Sequence, residues 1–461
     1  MRPLKVGEIA AAVRGEILCG SPDALVTHVS IDSRDVPENT LFVPIVGEHT
    51  DAHRFLPDVA AKGAAAAFTA EGYPGEAMPE TMALIRVPDT LASLQDLAAA
   101  YRRKIRIPLI GITGSVGKTT TRELTALALS SRYRVYKTPA NHNSQIGVPL
   151  TVLEIGEEEI GVIEMGMSIP GEMTKISRIV RPDAAVFTNI GLAHIEQLGS
   201  RENIRAEKMH IQDGMPENSV MILNGDDPLL SQYGGIRPGF RSVFYGTGKN
   251  ADCRAENVTM EDGLASFTAV IGRERVRVHL NVFGAHEVLN AMAALTAAHE
   301  FGADLQRAAE RVSSFRGYRH RQQVFQHDGI TVVDDSYNAS PSSMAAALRI
   351  LGGMRKEKRR IAVLADMLEL GESAGAMHRE AGKNLVRNHS ADVLFTLGDL
   401  GKEIAEGARR ENPDFEIYSF DDREALRDSL FSFVQAGDAV LFKGSNGMKL
   451  SALADQMSGN A

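Results

Sequence analysis

Short apolar runs alternate with amphipathic stretches along nearly the whole chain. Apolar runs between polar or glycine-rich turns predict buried strands, and apolar residues recurring every three or four positions predict helices. Near the N-terminus this pattern predicts a helix from Leu4 to Val13, strands over Leu25–Ile31 and Leu41–Val46, a helix over Ala52–Lys62, and strands over Ala64–Thr69 and Met82–Val87. Residues 1–87 therefore read as a small α/β unit. An amphipathic helix, Ser93–Lys104, leads into a strand over Pro108–Thr113 and a helix over Thr121–Leu129. Strand and helix then alternate to about residue 314. Strands fall at Gly161–Glu164, Ala184–Ile190 and Ser219–Leu223, helices at Arg201–Gln212 and Glu287–Phe301, and hairpin-like strands within 264–283. Such alternation predicts a mostly parallel sheet with helices on its faces. A second series begins near 315. Its strands are Ile330–Val333, Ile361–Leu364, Val393–Leu397, Phe415–Tyr418 and Ala439–Phe442. Ser340 is a predicted N-cap, with Pro341 at the first helical position and a stop at Gly352-Gly353. This third unit reads as a doubly wound domain. No G-x-G-x-x-G follows its first strand, so a dinucleotide role is not expected.

Composition narrows the picture. The 461 residues correspond to about three domains, read as 1–87, 88–314 and 315–461. A net charge of −9 and the absence of Trp argue against a nucleic-acid binder. No apolar run reaches the ~18 residues of a membrane span, and the N-terminus lacks a secretory apolar region. Two cysteines distant in sequence, Cys19 and Cys253, suit a reducing compartment. A cytoplasmic location without membrane insertion is expected.

Candidate chemistry concentrates in Gly114-Ser115-Val116-Gly117-Lys118-Thr119-Thr120, between a predicted strand and helix. Strand, glycine-rich turn, Lys-Thr and helix are what a phosphate cradle requires. Glycines let backbone N–H groups approach phosphate oxygens, and the helix N-terminus adds its positive end. Lys118 can neutralise phosphate charge, and the Thr119 hydroxyl can hold Mg²⁺. Ile112 stands where the usual spacing has its first glycine. Glu164 ends a neighbouring strand and offers the oxygen ligands that Mg²⁺ prefers. Asn189 and His194 follow another strand, so all of these can share the crevice at the strands' carboxyl ends. On spacing alone His194 reads as a structural histidine and Lys208 as a surface lysine. Polar loops at Asp32-Ser33-Arg34 and Gly47–His53 read as ligand loops or solvated turns.

Several longer stretches carry a resemblance. They are the phosphate loop, Thr138-Pro-Ala-Asn-His-Asn-Ser-Gln-Ile-Gly-Val-Pro-Leu150, Glu164-Met-Gly-Met-Ser-Ile-Pro-Gly-Glu172 and Thr188-Asn-Ile-Gly-Leu-Ala-His-Ile-Glu196. Asp334-Asp-Ser-Tyr-Asn-Ala-Ser-Pro341, Leu364-Ala-Asp-Met-Leu-Glu-Leu-Gly371 and Lys443-Gly-Ser445 follow in the C-terminal unit. In this order they resemble the Mur ligases of peptidoglycan synthesis, and the last three resemble the member that adds D-alanyl-D-alanine. The resemblance implies an N-terminal UDP-binding domain, a central P-loop ATPase-like domain and a C-terminal Rossmann-like domain that takes the dipeptide. It implies an ATP-dependent, amide-forming ligase that activates the carboxylate of UDP-MurNAc-tripeptide as an acyl phosphate and releases ADP and phosphate. Thr119 and Glu164 would hold one Mg²⁺, and His194 a second. Lys208 matches a lysine carbamylated by CO₂, an anion that would ligate or orient the metal site. Together with Lys118 these would be the catalytic set. Asn290, Arg321 and Asp335 would join Gly114–Thr120 around ATP. Ser33, Arg34, His53, Asn141, Asn143, Asn189, Tyr337 and Asn338 would contact the other substrates. A monomer is implied. Departures from the family pattern are Ser144 and Ser340 where Asn is usual, Asn446 where Arg is usual, and Tyr318-Arg-His-Arg321, in which Arg319 competes with Arg321. Competing readings are another ligase of the superfamily, adding a diamino acid or glutamate, and a non-catalytic nucleotide-binding regulator.

Overall fold

The computed structural model describes residues 1–47, 50–70, 82–261, 263–354 and 357–460. The first eighty-odd residues build a small sheet. β1 (Leu4–Lys5) pairs with β3 (Leu25–Val26) as a two-stranded ribbon. β2 (Glu16–Cys19), β4 (His28–Ser30), β5 (Thr40–Phe42), β6 (Ala66–Ala70) and β7 (Ala83–Val87) form a five-stranded sheet in the order β2-β7-β6-β5-β4. Only β2 runs antiparallel to its neighbour. The apolar pattern does not predict β2, an edge strand of alternating exposed and half-buried residues.

Nine strands make the central sheet: β8 (Leu109–Thr113), β9 (Val135–Lys137), β10 (Ile160–Glu164), β11 (Ala184–Phe187), β12 (Val220–Asn224), β13 (Arg241–Gly246), β14 (Cys253–Glu261), β15 (Leu264–Ile271) and β16 (Glu274–Phe283). Their order is β16-β15-β14-β13-β12-β11-β8-β10-β9. The strands from β9 to β14 are parallel, and β15 and β16 close one side as an antiparallel extension. β8 is buried along its whole length between β10 and β11, which is why it reads as a continuous apolar run. Its register sets Ile112 beside Glu164 and Thr113 beside Phe187, so both neighbouring strand ends reach the turn that follows β8. The helix after that turn is Lys118–Leu129, one turn longer at its start than predicted. The Ala-rich helix Glu287–Glu300 packs against it and is buried over most of its length. Small side chains let the two helices approach closely.

A six-stranded sheet forms the rest: β17 (Gln323–His327), β18 (Ile330–Asp334), β19 (Arg359–Ala365), β20 (Val393–Leu397), β21 (Glu416–Phe420) and β22 (Asp438–Lys443). The order is β17-β18-β22-β19-β20-β21, parallel except for β17. Ser340 caps the helix Pro341–Gly353, accepting from Ser343 N, as its place before a proline predicts. The strands that patterning misses, β1, β2, β9, β13, β14 and β17, are short, edge, antiparallel or partly exposed, where no continuous apolar run is needed; Leu4–Lys5, expected to open the first helix, is β1. One continuous core joins the N-terminal sheet to a face of the central sheet. Tyr101 stitches that junction, donating to Ile155 O at 2.5 Å and accepting from Arg2 N at 2.8 Å. No helix among the described residues is long and apolar enough to cross a membrane.

Candidate nucleotide site

The turn after β8 is shaped by two glycines. Gly114 has φ +143, and a Cβ there would lie 1.9 Å from Thr188 Oγ1. Gly117 has φ +86, and a Cβ there would lie 2.7 Å from Asn290 Oδ1. Both backbone conformations favour glycine. Asn189, at the end of β11, braces the loop. Its Oδ1 accepts from Val116 N at 3.0 Å and its Nδ2 donates to Val116 O at 2.9 Å. Ser115 N donates to Asn189 O, and Ser115 Oγ accepts from Gly191 N. Asn189 thus supports the cradle from behind and does not line the cavity. The helix starting at Lys118 has no side-chain cap, so its first N–H groups are not masked by a side chain.

A cavity of about 490 Å³ opens over this loop. Ser115 to Thr120 line one wall, and Asn141, Asn143, Glu164, His194 and Asn290 extend it. Arg321, Asp335, Tyr337, Asn338 and Glu369 line the opposite wall from the C-terminal sheet and its loops. Lys118 Nζ donates to Gly114 O at 2.8 Å and Ser115 O at 3.2 Å. Burial pushes its amine below the ordinary lysine value; Glu164 opposes the shift and the Arg321 cation adds to it. Lys118 and Arg321 therefore converge from two sheets on one place, an arrangement suited to an anion.

Glu164 is buried, and three side chains donate to its carboxylate. They are Thr119 Oγ1 at 3.0 Å, Asn143 Nδ2 at 2.8 Å and Arg122 Nη1 at 3.1 Å. Arg122 is wholly buried, also pairs with Glu123 at 2.6 Å, and lies over the Tyr318 ring. The sequence reading passes over Arg122, because an arginine in the first turns of a helix looks like a solvated charge. Its signal is the adjacent Glu123 inside an otherwise buried stretch. Asn290 Oδ1 accepts from Thr121 Oγ1, and its Nδ2 donates to Glu287.

On the C-terminal wall, Arg321 lies over the Tyr337 ring, 4.1 Å from its centre. Burial raises the Tyr337 hydroxyl's pKa, while Arg321 and a hydrogen bond from Asn141 oppose the shift. Arg319 instead pairs with Asp455 at 3.0 Å and is mostly exposed, so of the two competing arginines it is Arg321 that faces the cavity. Buried Lys443 donates to Asp335 Oδ2 at 2.6 Å and Asn338 O at 3.0 Å. Burial nonetheless pushes Asp335 above the usual carboxylate range, and Lys443 pulls the other way. Lys443 lines the cavity from outside the expected site set, although its Lys-Gly-Ser motif was legible. Ser144 accepts from Gly147 N at the start of the helix Gly147–Glu154, and Asn446 donates to Tyr337 O, so both departures have local partners.

His194 has φ +63, and its Nδ1 lies 2.9 Å from Glu369 Oε2, joining the central unit to the C-terminal one. The bond to His194 holds the Glu369 carboxyl below its ordinary value. Lys208 is not a surface lysine: it is 1% exposed on the helix Arg201–Met209. Burial lowers its amine well below the usual range, and the Lys118 cation lowers it further. It does not line the cavity. The N-terminal residues stand apart from this cavity. Arg34 is exposed and forks onto Asp32, which is pulled down to about 2 by that hydrogen bonding. Ser33 accepts at its carbonyl from Lys62. His53 is buried, its Nδ1 2.6 Å from Asp51 and its Nε2 accepting from Ala70 N, so it ties the loop to β6. Glu48 and His49 of that loop lie outside the described residues.

A phosphate cradle at the carboxyl end of a parallel sheet, faced by cations from a second α/β sheet, defines a multidomain P-loop protein. The chain belongs to the Mur ligase family: residues 112–298 match the Mur ligase middle domain, and 320–446 match the Mur ligase, glutamate ligase domain. The UDP-N-acetylmuramoyl-tripeptide–D-alanyl-D-alanine ligase of Bacillus subtilis is 38% identical over 97% of this chain and 97% of its own. A crystal structure of MurF from Acinetobacter baumannii superposes with a TM-score of 0.89 at 27% identity, covering 100% of this chain and 99% of that one. MurF from Thermotoga maritima in complex with ADP gives 0.81 at 27% identity, covering 94% and 98%.

Proposed function

We propose that this protein joins D-alanyl-D-alanine to UDP-MurNAc-tripeptide at the expense of ATP, forming UDP-MurNAc-pentapeptide for peptidoglycan synthesis in the bacterial cytoplasm. The observation that carries this reading is the end-to-end correspondence with relatives bearing that activity, in a chain whose cavity sets Lys118 and Arg321 over a phosphate cradle. The three units serve as UDP-binding (1–87), ATP-binding (88–314) and dipeptide-binding (315–461) domains.

The chemistry follows from the charges. A carboxylate is a poor electrophile. One of its oxygens attacks the γ-phosphorus of ATP, ADP leaves, and the acyl phosphate carries a good leaving group. The dipeptide amine then attacks the carbonyl carbon, loses a proton, and expels phosphate. Both steps bring anions together, so cations in a water-poor site lower the barrier. Lys118, freed from the Gly114 and Ser115 carbonyls, turns to the phosphates. Arg321 closes on them from the opposite wall, and Asn290 lies on the adenine side.

The donor set fits a hard divalent cation: Thr119 Oγ1 and the Glu164 carboxylate are adjacent oxygens at the loop. They would hold Mg²⁺, with His194 at a second ion, and the ions would supply charge neutralisation to the phosphates. Lys208 as an ammonium is no ligand. Its burial favours the neutral amine, the form that reacts with CO₂, and a carbamate there would replace repulsion of Lys118 with attraction. Ser33 and Arg34 would meet the UDP moiety; Asn141, Asn143, Tyr337 and Asn338 would meet the peptide substrates.

Purified protein given ATP, UDP-MurNAc-tripeptide and D-alanyl-D-alanine should release phosphate and form the pentapeptide. Turnover with UDP-MurNAc-dipeptide and a single diamino acid, and none with D-alanyl-D-alanine, would overturn this reading.

A further inference from the structure

The connector between the central and C-terminal sheets, residues 314–322, delivers Arg321 to the cavity. It does so through a tight turn in which Tyr318 and Arg321 bridge and Arg321 N donates to Tyr318 O at 2.9 Å. His320 and Gln322 both adopt left-handed backbone, φ +59 and +54. Such residues are held there only by their surroundings. The surroundings of His320 are unusual. Its Nδ1 lies 2.7 Å from Oδ2 of the buried Asp334, at the end of β18, and its Nε2 lies 3.8 Å from Asp455 Oδ2, on the last helix, Leu450–Ser458. Its carbonyl accepts from Tyr337 N, and its own N–H donates to Gln323 Oε1.

One imidazole and two carboxylates within 4.8 Å of one another have the composition of a metal site. The geometry disfavours it. The two carboxylates face different ring nitrogens, and one ion can take only one of these. Arg319 also occupies Asp455 Oδ2 at 3.0 Å, and Asp334 Oδ1 accepts from Ser336 N and Oγ. The ring is hydrogen-bonded to Asp334 and stands against Asp455, so it lies between two elements.

We propose that His320 is a positioning residue: clasped between Asp334 and Asp455, it fixes the left-handed turn that aims Arg321 into the phosphate cleft, and so sets nucleotide affinity. The link is short. His320 precedes Arg321, and its carbonyl holds the backbone of Tyr337, the ring on which the Arg321 guanidinium rests. The clasp therefore orients both the arginine and its platform. This inference rests on the nucleotide reading of the cavity.

ADP binding by the purified full-length protein separates the two. His320→Asn keeps a residue that tolerates left-handed backbone but is too short to bridge both carboxylates. It should weaken ADP about ten-fold, and Asp455→Asn about three-fold. Because His320 acts through Arg321, adding His320→Asn to Arg321→Ala should change ADP affinity less than about two-fold. Unchanged ADP affinity in a folded His320→Asn protein with only a lowered Tm would make the clasp purely structural and overturn the proposal, as would additive losses in the double variant. If His320→Asn fails to fold, Asp455→Asn decides by the same measurements. Failure of the unsubstituted protein to bind ADP would instead overturn the nucleotide reading, and this proposal with it.

Discussion

Individual residues in this protein take their meaning from burial. Lys208 has the sequence context of a solvated helical lysine, yet it is enclosed and held toward the neutral amine by burial and by Lys118. On the carbamate reading, Lys208→Ala should lower ligation ~100-fold or more while ADP affinity stays within about three-fold, and short carboxylic acids should partly restore turnover. Unchanged turnover would remove the carbamate role. Gly114 is as constrained as any residue here, with φ +143 and Thr188 Oγ1 where a Cβ would go. Gly114→Ala should cost about 1–3 kcal/mol in chemical denaturation and abolish ADP binding, because the loop must move to admit the methyl group. An unaltered ADP affinity would mean that the loop is softer than its packing implies.

At the scale of elements, the helix Lys118–Leu129 does two jobs. Its first turn presents the cradle, and its second plants Arg122 between Glu123 and Glu164. A buried guanidinium joining two buried carboxylates adds little net stability, because desolvation offsets attraction, but removing it leaves Glu164 without its ion-pair partner and Glu123 with Lys137 alone. Arg122→Met should therefore cost about 3–5 kcal/mol, read as a lowered denaturant midpoint with unchanged m-value. A loss below about 1 kcal/mol would show that Lys137 and Asn143 satisfy the acids alone. The alternation of apolar runs made β8, β10, β11 and β12 legible, since parallel strands buried on both faces need unbroken apolar sequence. It could not reveal β2, β13, β14 or β17, whose exposed or antiparallel settings relax that demand.

At the scale of the molecule, the cavity belongs to two sheets and the proposed UDP loops to a third. Arg34 and Ser33 stand outside the cavity lined by Lys118 and Arg321. The C-terminal sheet packs its own cores, apart from the one shared by the N-terminal and central sheets, so its joint is where motion is expected. Small-angle scattering should show a smaller radius of gyration when a non-hydrolysable ATP analogue and UDP-MurNAc-tripeptide are both present. Superimposable profiles would leave closure unsupported. The His194–Glu369 contact is one place where such closure would register, because it already spans the central and C-terminal units.

Local chemistry was readable without coordinates. A strand, a glycine-bearing turn, Lys118-Thr119 and a helix can hardly form anything but an anion cradle, since each feature answers a local constraint of backbone angle or charge. The α/β class followed from the same kind of local periodicity. Tertiary structure alone decided which side chains face one another. It separated Arg321 from Arg319, moved Asn189 behind the loop and Lys208 into the interior, tied buried His53 to Asp51 and Ala70, set Arg122 against Glu164, and brought Lys443 to the cavity wall. Those outcomes depend on burial and on contacts between residues distant in the chain, up to 136 positions apart for Arg319 and Asp455, and neither quantity is written in any single stretch of the chain.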